Sequence, residues 1–216
     1  MPQVGSEKDY IATRVSFAMD LGGPSMNVNS ACSSGLVAIA QGAQSIIAGA
    51  CEMAVAGASS ISFPNAGYHY EEGVVHSKDG TVRPFDKAAS GTIFGDSVAA
   101  VVLKRLEHSV EDQDKIMAVL NGCAVTNDGG NKAGYSAPAA SGQRAAIVAA
   151  HKMAGVTAED ISYVECHATA TNIGDAIEIR GLTDAFRQTT KKKAYCAIGS
   201  VKGNIGHANC AAGMTG

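Results

Sequence analysis

"NSACSSGLVAIAQGAQSIIAGAC", residues Asn29 to Cys51, places one cysteine directly ahead of a long run of small and aliphatic residues. From Ser33 onward, Gln41, Gln44 and Ser45 fall on one narrow polar stripe at helical spacing, while Leu36, Val37, Ile39, Ile46 and Ile47 cover the remainder. A helix that is apolar around most of its circumference belongs in a core. The text before it, "PSMNVNSA", has the short extended character of a strand, and "CEMAVAGAS" after Gly49 has the small and β-branched residues of another. The stretch predicts a strand, a tight turn carrying Cys32, a buried helix and a second strand. A thiol in the first turn of a helix faces unpaired backbone N–H groups and the positive dipole end, which favour the thiolate and lower its pKa. Because the thiolate is the nucleophile, this placement predicts a cysteine that takes an acyl group as a thioester. The competing reading is a small, inert, buried hydrophobe.

The same alternation continues outward. "MPQVGSEKDYIATRVSF" is helix-like, and both chain ends are abrupt, which suggests a fragment. A loop-rich region, "FPNAGYHYEEGVVHSKDGTVRPFDKAASGTIFGDS", gives way to the buried-strand pattern "VAAVVLKRL". Long loops of this kind usually carry function. The acidic "EHSVEDQDK" reads as a solvated connector and "IMAVLNGCAVTND" as a renewed strand, so a boundary falls near residue 110 and divides the chain into 1–110 and 111–216. Beyond it, "SGQRAAIVAAHKMAG" is helical to Gly155, with Thr157 and Asp160 spaced as in a capping box. Strand "ISYVEC", loop "HATATNIGD", amphipathic "AIEIRGLTDAFRQ" and strand "AYCAIGSV" follow. Alternating strands and helices predict a layered α/β fold with mainly parallel strands.

Composition narrows the function. With 17 basic and 20 acidic residues the net charge is −3, which gives no general attraction to nucleic acid or an anionic membrane. Six cysteines at 32, 51, 123, 166, 196 and 210 form no Cys-x-x-Cys pair and no short-range Cys/His cluster, so no metal site is expected. Without a secretory signal or an apolar run of about 18 residues, the expected setting is the reducing cytosol, with free thiols. No G-x-S-x-G elbow, phosphate-binding G-x-x-x-x-G-K-[ST] loop or H-E-x-x-H is present, and "GGNKAG" does not open a helix after a strand.

Acyl chemistry at a thiol also needs proton handling and stabilisation of a developing oxyanion. His167 directly follows the strand "YVEC", and His207 closes the glycine-spaced "KGNIG" after the strand "AIGSV". Strand-end loops at one edge of a parallel sheet converge on a common crevice, so Cys32, His167 and His207 are predicted to meet there. His108 lies in the acidic connector, His151 within a helix, and His69 and His76 in the long loop without an evident partner.

These motifs resemble the β-ketoacyl synthase (ketosynthase) domains of modular type I polyketide synthases and their fatty-acid-synthase relatives, from about Tyr10 to Gly216. "GPSMNVNSACSSGLVAIA" is similar to the family's active-site cysteine signature; "VECHATATNIGDAIEI" to its first histidine motif, E-A-H-G-T-G-T-x-x-G-D-P-I-E; and "GSVKGNIGHANCAAGMTG" to its second. "RPFDKAASGTIFGDSVAAVVLKRL" and "NGCAVTNDGGNKAGYSAPAASGQ" extend the likeness. The resemblance implies a thiolase-like layered α/β/α/β/α fold with mostly parallel sheets, present here only in part. Residues 1–110 would be the latter part of the N-terminal half and 111–216 the first part of the C-terminal half.

The resemblance also implies a cytoplasmic homodimer that binds no cofactor directly and takes its substrates on the phosphopantetheine of an acyl carrier protein. Cys32 would accept the growing acyl chain, and a malonyl-type thioester would then lose carbon dioxide and attack it in a Claisen condensation. His167 and His207 would support decarboxylation. Lys202 would hold the pocket's charge, Asn204 would brace the His207 loop, and Thr169 and Thr171 would contact the phosphopantetheine arm. Departures from the family pattern are Ala168 and Ala170 in place of glycines, Ala176 in place of proline, and Cys166 in place of a small residue. An alanine forced to φ > 0 costs about 1 kcal/mol or more. Roughly half of a full domain, including the second oxyanion amide, would lie outside these residues, so the polypeptide alone is expected to be inactive and poorly folded. The alternatives are a ketosynthase that only transfers acyl chains, and a non-catalytic module for dimerisation and carrier docking.

Overall fold

The computed structural model describes residues 4–5 and 7–216. Helix α1 (Ile11–Ala18) follows a 3₁₀ turn at Lys8–Tyr10, within the helix-like text, of which residues 1–3 and 6 lie outside the described residues. A 3₁₀ turn at Ala31–Ser33 leads straight into α2 (Ser34–Ile47), the helix of the opening stretch, whose expected core position is realised only in part: Ala40 and Ile46 are buried, but Leu36 and Ile47 are 53% and 61% exposed. Then come β1 (Met53–Ser60), β2 (Ser97–Lys104), α3 (Leu106–Glu111), α4 (Ala140–Ala154), β3 (Tyr163–Glu165), α5 (Gly174–Phe186), β4 (Ala197–Gly199), α6 (Lys202–Ile205) and α7 (Ala212–Thr215). No described helix is long and apolar enough to cross a membrane.

Strands β1 and β2 pair antiparallel, with Ala54 opposite Leu103 and Ala56 opposite Val101. Their period-2 alternation puts Ala54, Ala56, Val101 and Leu103 on one face. Helix α2 lies on that face so closely that a Cβ on Gly42 would sit 3.1 Å from Leu103 Cδ1 and 3.3 Å from Ala54 Cβ. The opposite face is open, and Val98 and Val102 are 70% and 67% exposed there.

The expectation of mainly parallel strands therefore needs correction in this half. A parallel return requires a crossover, usually a helix. The connection 61–96 contains no helix among the described residues, only the isolated bridges His76↔Thr92 and Phe94↔His207. Parallel pairing is realised in β3–β4, with Val164 opposite Ile198, and there α5 supplies the crossover. The strand-like stretches around residues 24–30 and 116–126 carry no ladder among the described residues. Side-chain preference marks a segment as strand-compatible, but a strand exists only where a partner accepts its N–H groups. The acidic connector is ordered at its start, where it forms α3.

Helix α4 ends as expected at Gly155, whose φ of 68° closes it in the left-handed conformation that glycine adopts without penalty. Asp160 then accepts the Thr157 N–H at 2.8 Å in a capping box. Helices α4 and α5 pack tightly at Gly181, where a Cβ would lie 2.9 Å from Gln143 Cβ. Buried Ala158, Ala185 and Phe186, with Ile147, Val164 and Leu182 around them, lock α5 against β3. That packing determines where the acidic residues of α5 meet the loop leaving β3.

Candidate active site

Cys32 occupies the 3₁₀ turn ahead of α2, and the residue before it, Ala31, has a φ of 47°. A left-handed non-glycine residue at this point makes the turn sharp. The turn is tied locally: the Ser30 N–H donates to Ser34 Oγ at 2.8 Å, and Ser34 Oγ donates to Ala31 O at 2.8 Å. Half-buried Cys32 thereby directs its sulfur at His207, whose Nε2 lies 3.1 Å away. Donor atoms of Cys32, His167 and His207 all fall within 4.8 Å of one another, and the two imidazoles meet edge-on with centroids 5.3 Å apart. Residues 175 positions apart in sequence thus meet in one cluster, as expected, although only His167 and His207 reach it from the ends of paired parallel strands and no ladder precedes Cys32 among the described residues.

His207 is held by backbone. Its N–H donates to Ile93 O at 2.7 Å, and its carbonyl accepts the Gly95 N–H at 3.1 Å. Gly95 is required there, because a Cβ would lie 2.0 Å from Ile205 O. The ring is buried, and Nδ1 has no hydrogen-bond partner. Burial is the main cause, and Lys202 a second, of a pKa lowered to about 4, so the imidazole is neutral near pH 7.

His167 leaves β3 on a loop fixed by α5. One Glu178 carboxylate takes two successive backbone N–H groups, His167 at 2.6 Å and Ala168 at 2.7 Å. Asp175 takes the Ala170 N–H at 3.0 Å with one oxygen and the Phe85 N–H at 2.8 Å with the other. Ala168 and Ala170 keep left-handed φ values of 29° and 60° despite their methyl groups, and both are buried. The altered loop therefore retains a glycine-like backbone path, held by these two carboxylates. Desolvation, with Lys202 and His207 adding, also moves the His167 pKa down, but water reaches one side of this exposed ring and screens the shift.

The expectation of a lowered Cys32 pKa is overturned. Burial pushes the thiol up, and its own backbone N–H and Lys202 pull it back only in part. A dipole at a helix end is worth less than the solvation lost by a half-buried sulfur anion. Cys32 is therefore a neutral thiol with a neutral imidazole at hydrogen-bond distance, a pair suited to passing the S–H proton to Nε2 as sulfur attacks. Cys166, next to His167, is a contrasting case: burial, Glu178 and Glu165 raise it to about 12, which makes it an inert packing residue.

Lys202 opens α6 and is 4% exposed; burial lowers its pKa, against the pull of Glu165 and Glu178. It supplies the field that helps keep both histidines neutral. Asn204 is exposed, and no side-chain hydrogen bond ties it to the His207 loop among the described residues. Ile93 and Gly95 do the bracing expected of it. Thr169 and Thr171 lie half-buried on the His167 loop, with hydroxyls 3.3 Å apart.

Several participants escaped the sequence reading. Glu178 and Asp175 stand within the quoted "GDAIEI", and two acids three residues apart at the start of a helix were the available signal. His76 gave no signal at all. It stacks on Tyr68 at 4.5 Å and meets Phe94 edge-on at 5.4 Å, while Phe94 lies 5.6 Å from His207, so an aromatic row leads from the long loop to the crevice. The absence of short Cys/His spacings, from which no metal site was expected, gave no sign that these three residues bring metal-ligating atoms within 4.8 Å of one another.

Residues 1–109 match the family model described as the N-terminal domain of beta-ketoacyl synthase, and residues 117–216 match that of its C-terminal domain. A phenolphthiocerol/phthiocerol polyketide synthase of Mycobacterium tuberculosis is 47% identical over 213 residues, covering 98% of this chain and 14% of that protein. A hybrid PKS-NRPS synthetase of Gloeophyllum trabeum is 42% identical over 205 residues, 94% of this chain and 13% of its own. Among solved structures, ketosynthase twelve from the bacillaene polyketide synthase of Bacillus amyloliquefaciens superposes with a TM-score of 0.94 at 38% identity, over 97% of this chain and 37% of that one. The chain thus spans about a seventh of the first curated relative and little more than a third of this structural neighbour.

Proposed function

This chain belongs to the β-ketoacyl synthase family, with the layered thiolase-like α/β fold of its structural neighbours, and on that premise we propose that it carries the condensing centre of a polyketide synthase. The observation that carries the reading is the Cys32 sulfur 3.1 Å from His207 Nε2, with His167 in the same cluster. The sulfur attacks the thioester carbonyl of an acyl chain on an acyl carrier protein. The S–H proton passes to Nε2 and on to the departing pantetheine sulfur, leaving the chain on Cys32. A malonyl-type thioester on a second carrier then breaks its bond to the carboxylate and releases carbon dioxide. The resulting carbanion attacks the Cys32 thioester, forms the carbon–carbon bond and expels the Cys32 thiolate.

A neutral imidazole suits this chemistry: His167 can donate an N–H to the enolate oxygen without protonating the carbanion first, while His207 Nε2 handles the Cys32 proton. Thr169 and Thr171, half-buried on the His167 loop with hydroxyls 3.3 Å apart, would in this reading contact the phosphopantetheine arm. A homodimer, a cytoplasmic setting and service in either polyketide or fatty-acid assembly belong to the same reading and rest on the family likeness.

Labelled acyl transfer and carbon dioxide release, followed separately in the protein at its native length, test the proposal. Cys32→Ala should abolish acyl loading. His167→Ala should retain loading and lose decarboxylation. Loading without any carbon dioxide release from the unaltered protein would support acyl transfer alone, and loading that survives Cys32→Ala would overturn the assignment.

A further inference from the structure

We propose that Cys32, His167 and His207 together form a reversible binding site for a thiophilic divalent cation of the zinc class, whose occupancy silences the nucleophile. The donor set is one sulfur and two imidazole nitrogens, the combination zinc selects over harder cations. With Zn–S near 2.3 Å and Zn–N near 2.0–2.1 Å, tetrahedral donors stand roughly 3.3–3.6 Å apart. The Cys32 Sγ to His207 Nε2 separation is 3.1 Å, and the third donor lies within 4.8 Å, so side-chain rotations of about 1 Å complete three corners.

Burial is graded in a way that admits an ion. His207 is buried, Cys32 half-buried and His167 exposed, so the cluster opens toward solvent through His167. The fourth corner remains for water, as in open rather than closed zinc sites. Electrostatics are permissive: the positive charge of Lys202 is offset by Glu165 and Glu178, both close enough to act on it. On binding, Cys32 loses its S–H proton to solvent and a sulfur–metal bond forms, while each imidazole offers a lone pair already free of a proton.

The surrounding shell sets the strength. Ligating histidines in tight sites donate their other N–H to a fixed acceptor, and absence of such support costs about 10–100-fold in affinity. His207 Nδ1 has no acceptor. The site is therefore a reversible trap, in competition with acylation.

Cobalt titration of the protein at its native length tests this without turnover, so failure here leaves the condensation proposal untouched. Expected are a thiolate-to-cobalt charge-transfer band and the visible bands of a tetrahedral ion at one equivalent, displaced by zinc. Zinc should also protect Cys32 from alkylation, and a chelator should restore it. Cys32→Ser should remove the charge-transfer band, His167→Ala should weaken binding at least about 100-fold, and Cys123→Ala should change neither. A charge-transfer band that persists in Cys32→Ser, a band lost in Cys123→Ala, or alkylation of Cys32 indifferent to zinc would overturn the proposal. The alkylation result holds on the unaltered protein, whatever the folding of the variants.

Discussion

Replacing Glu178 with glutamine should separate the two halves of the reaction. The carboxylate receives the N–H groups of His167 and Ala168 at 2.6 and 2.7 Å, and no other contact fixes both amides at once. Hydrogen bonds to a charged acceptor are worth about 1.5–3 kcal/mol each. Glutamine keeps one carbonyl oxygen but turns an NH₂ group toward the second amide, so one bond is lost and one partly buried donor is stranded. The combined cost is about 2–3 kcal/mol in positioning the His167 loop, or roughly 30- to 150-fold in a rate that depends on that ring. The Cys32–His207 pair is held separately, by the backbone bonds of His207 to Ile93 and Gly95, none of which involves Glu178. Acyl loading should therefore fall much less than carbon dioxide release. Stopped-time assays of labelled acyl transfer and of carbon dioxide release from a malonyl thioester read the two quantities. Equal losses in both, or unchanged carbon dioxide release, would refute the assignment of Glu178 as the positioning residue for His167.

Other outcomes follow from the same contacts. Gly95→Ala drives a methyl to within 2.0 Å of Ile205 O, so it should displace His207, cost about 1–3 kcal/mol in chemical denaturation and slow Cys32 alkylation. Because His207 titrates near 4 in the folded chain and about 6.5 unfolded, its contribution of about 3 kcal/mol is complete above pH 6.5 and is lost as pH falls toward 4. Melting followed across that window should show the loss, and His207→Asn should reduce it, leaving the part that belongs to His167. Peptide mapping after alkylation at mildly alkaline pH should leave Cys166 unmodified, since its thiol is raised to about 12. Alkylation of Cys32 should slow markedly in His207→Ala, which removes the base at 3.1 Å.

The helix after Cys32 was legible because fourteen residues of period-3.6 patterning leave little ambiguity. So were α4, with its glycine stop, and the two strand-end histidines. Strand direction was not legible, since Val and Ala favour a pleated surface equally in either orientation and only the missing crossover helix in 61–96 decides the matter. The pKa of Cys32 went the other way because local sequence displays the helix end but not the depth of burial contributed by residues far along the chain. Glu178 illustrates a third limit: its role exists only once α5 folds back on β3, through contacts of Phe186 and Ala185 that no motif encodes.

Mass mapping of the protein after incubation with an acyl carrier thioester tests most directly whether the three loops make one condensing centre. Stoichiometric acylation should appear on the peptide containing Cys32, and addition of a malonyl carrier thioester should discharge that label into a β-ketoacyl product. Label on a different residue, or β-ketoacyl product formed undiminished by Cys32→Ala, would contradict it.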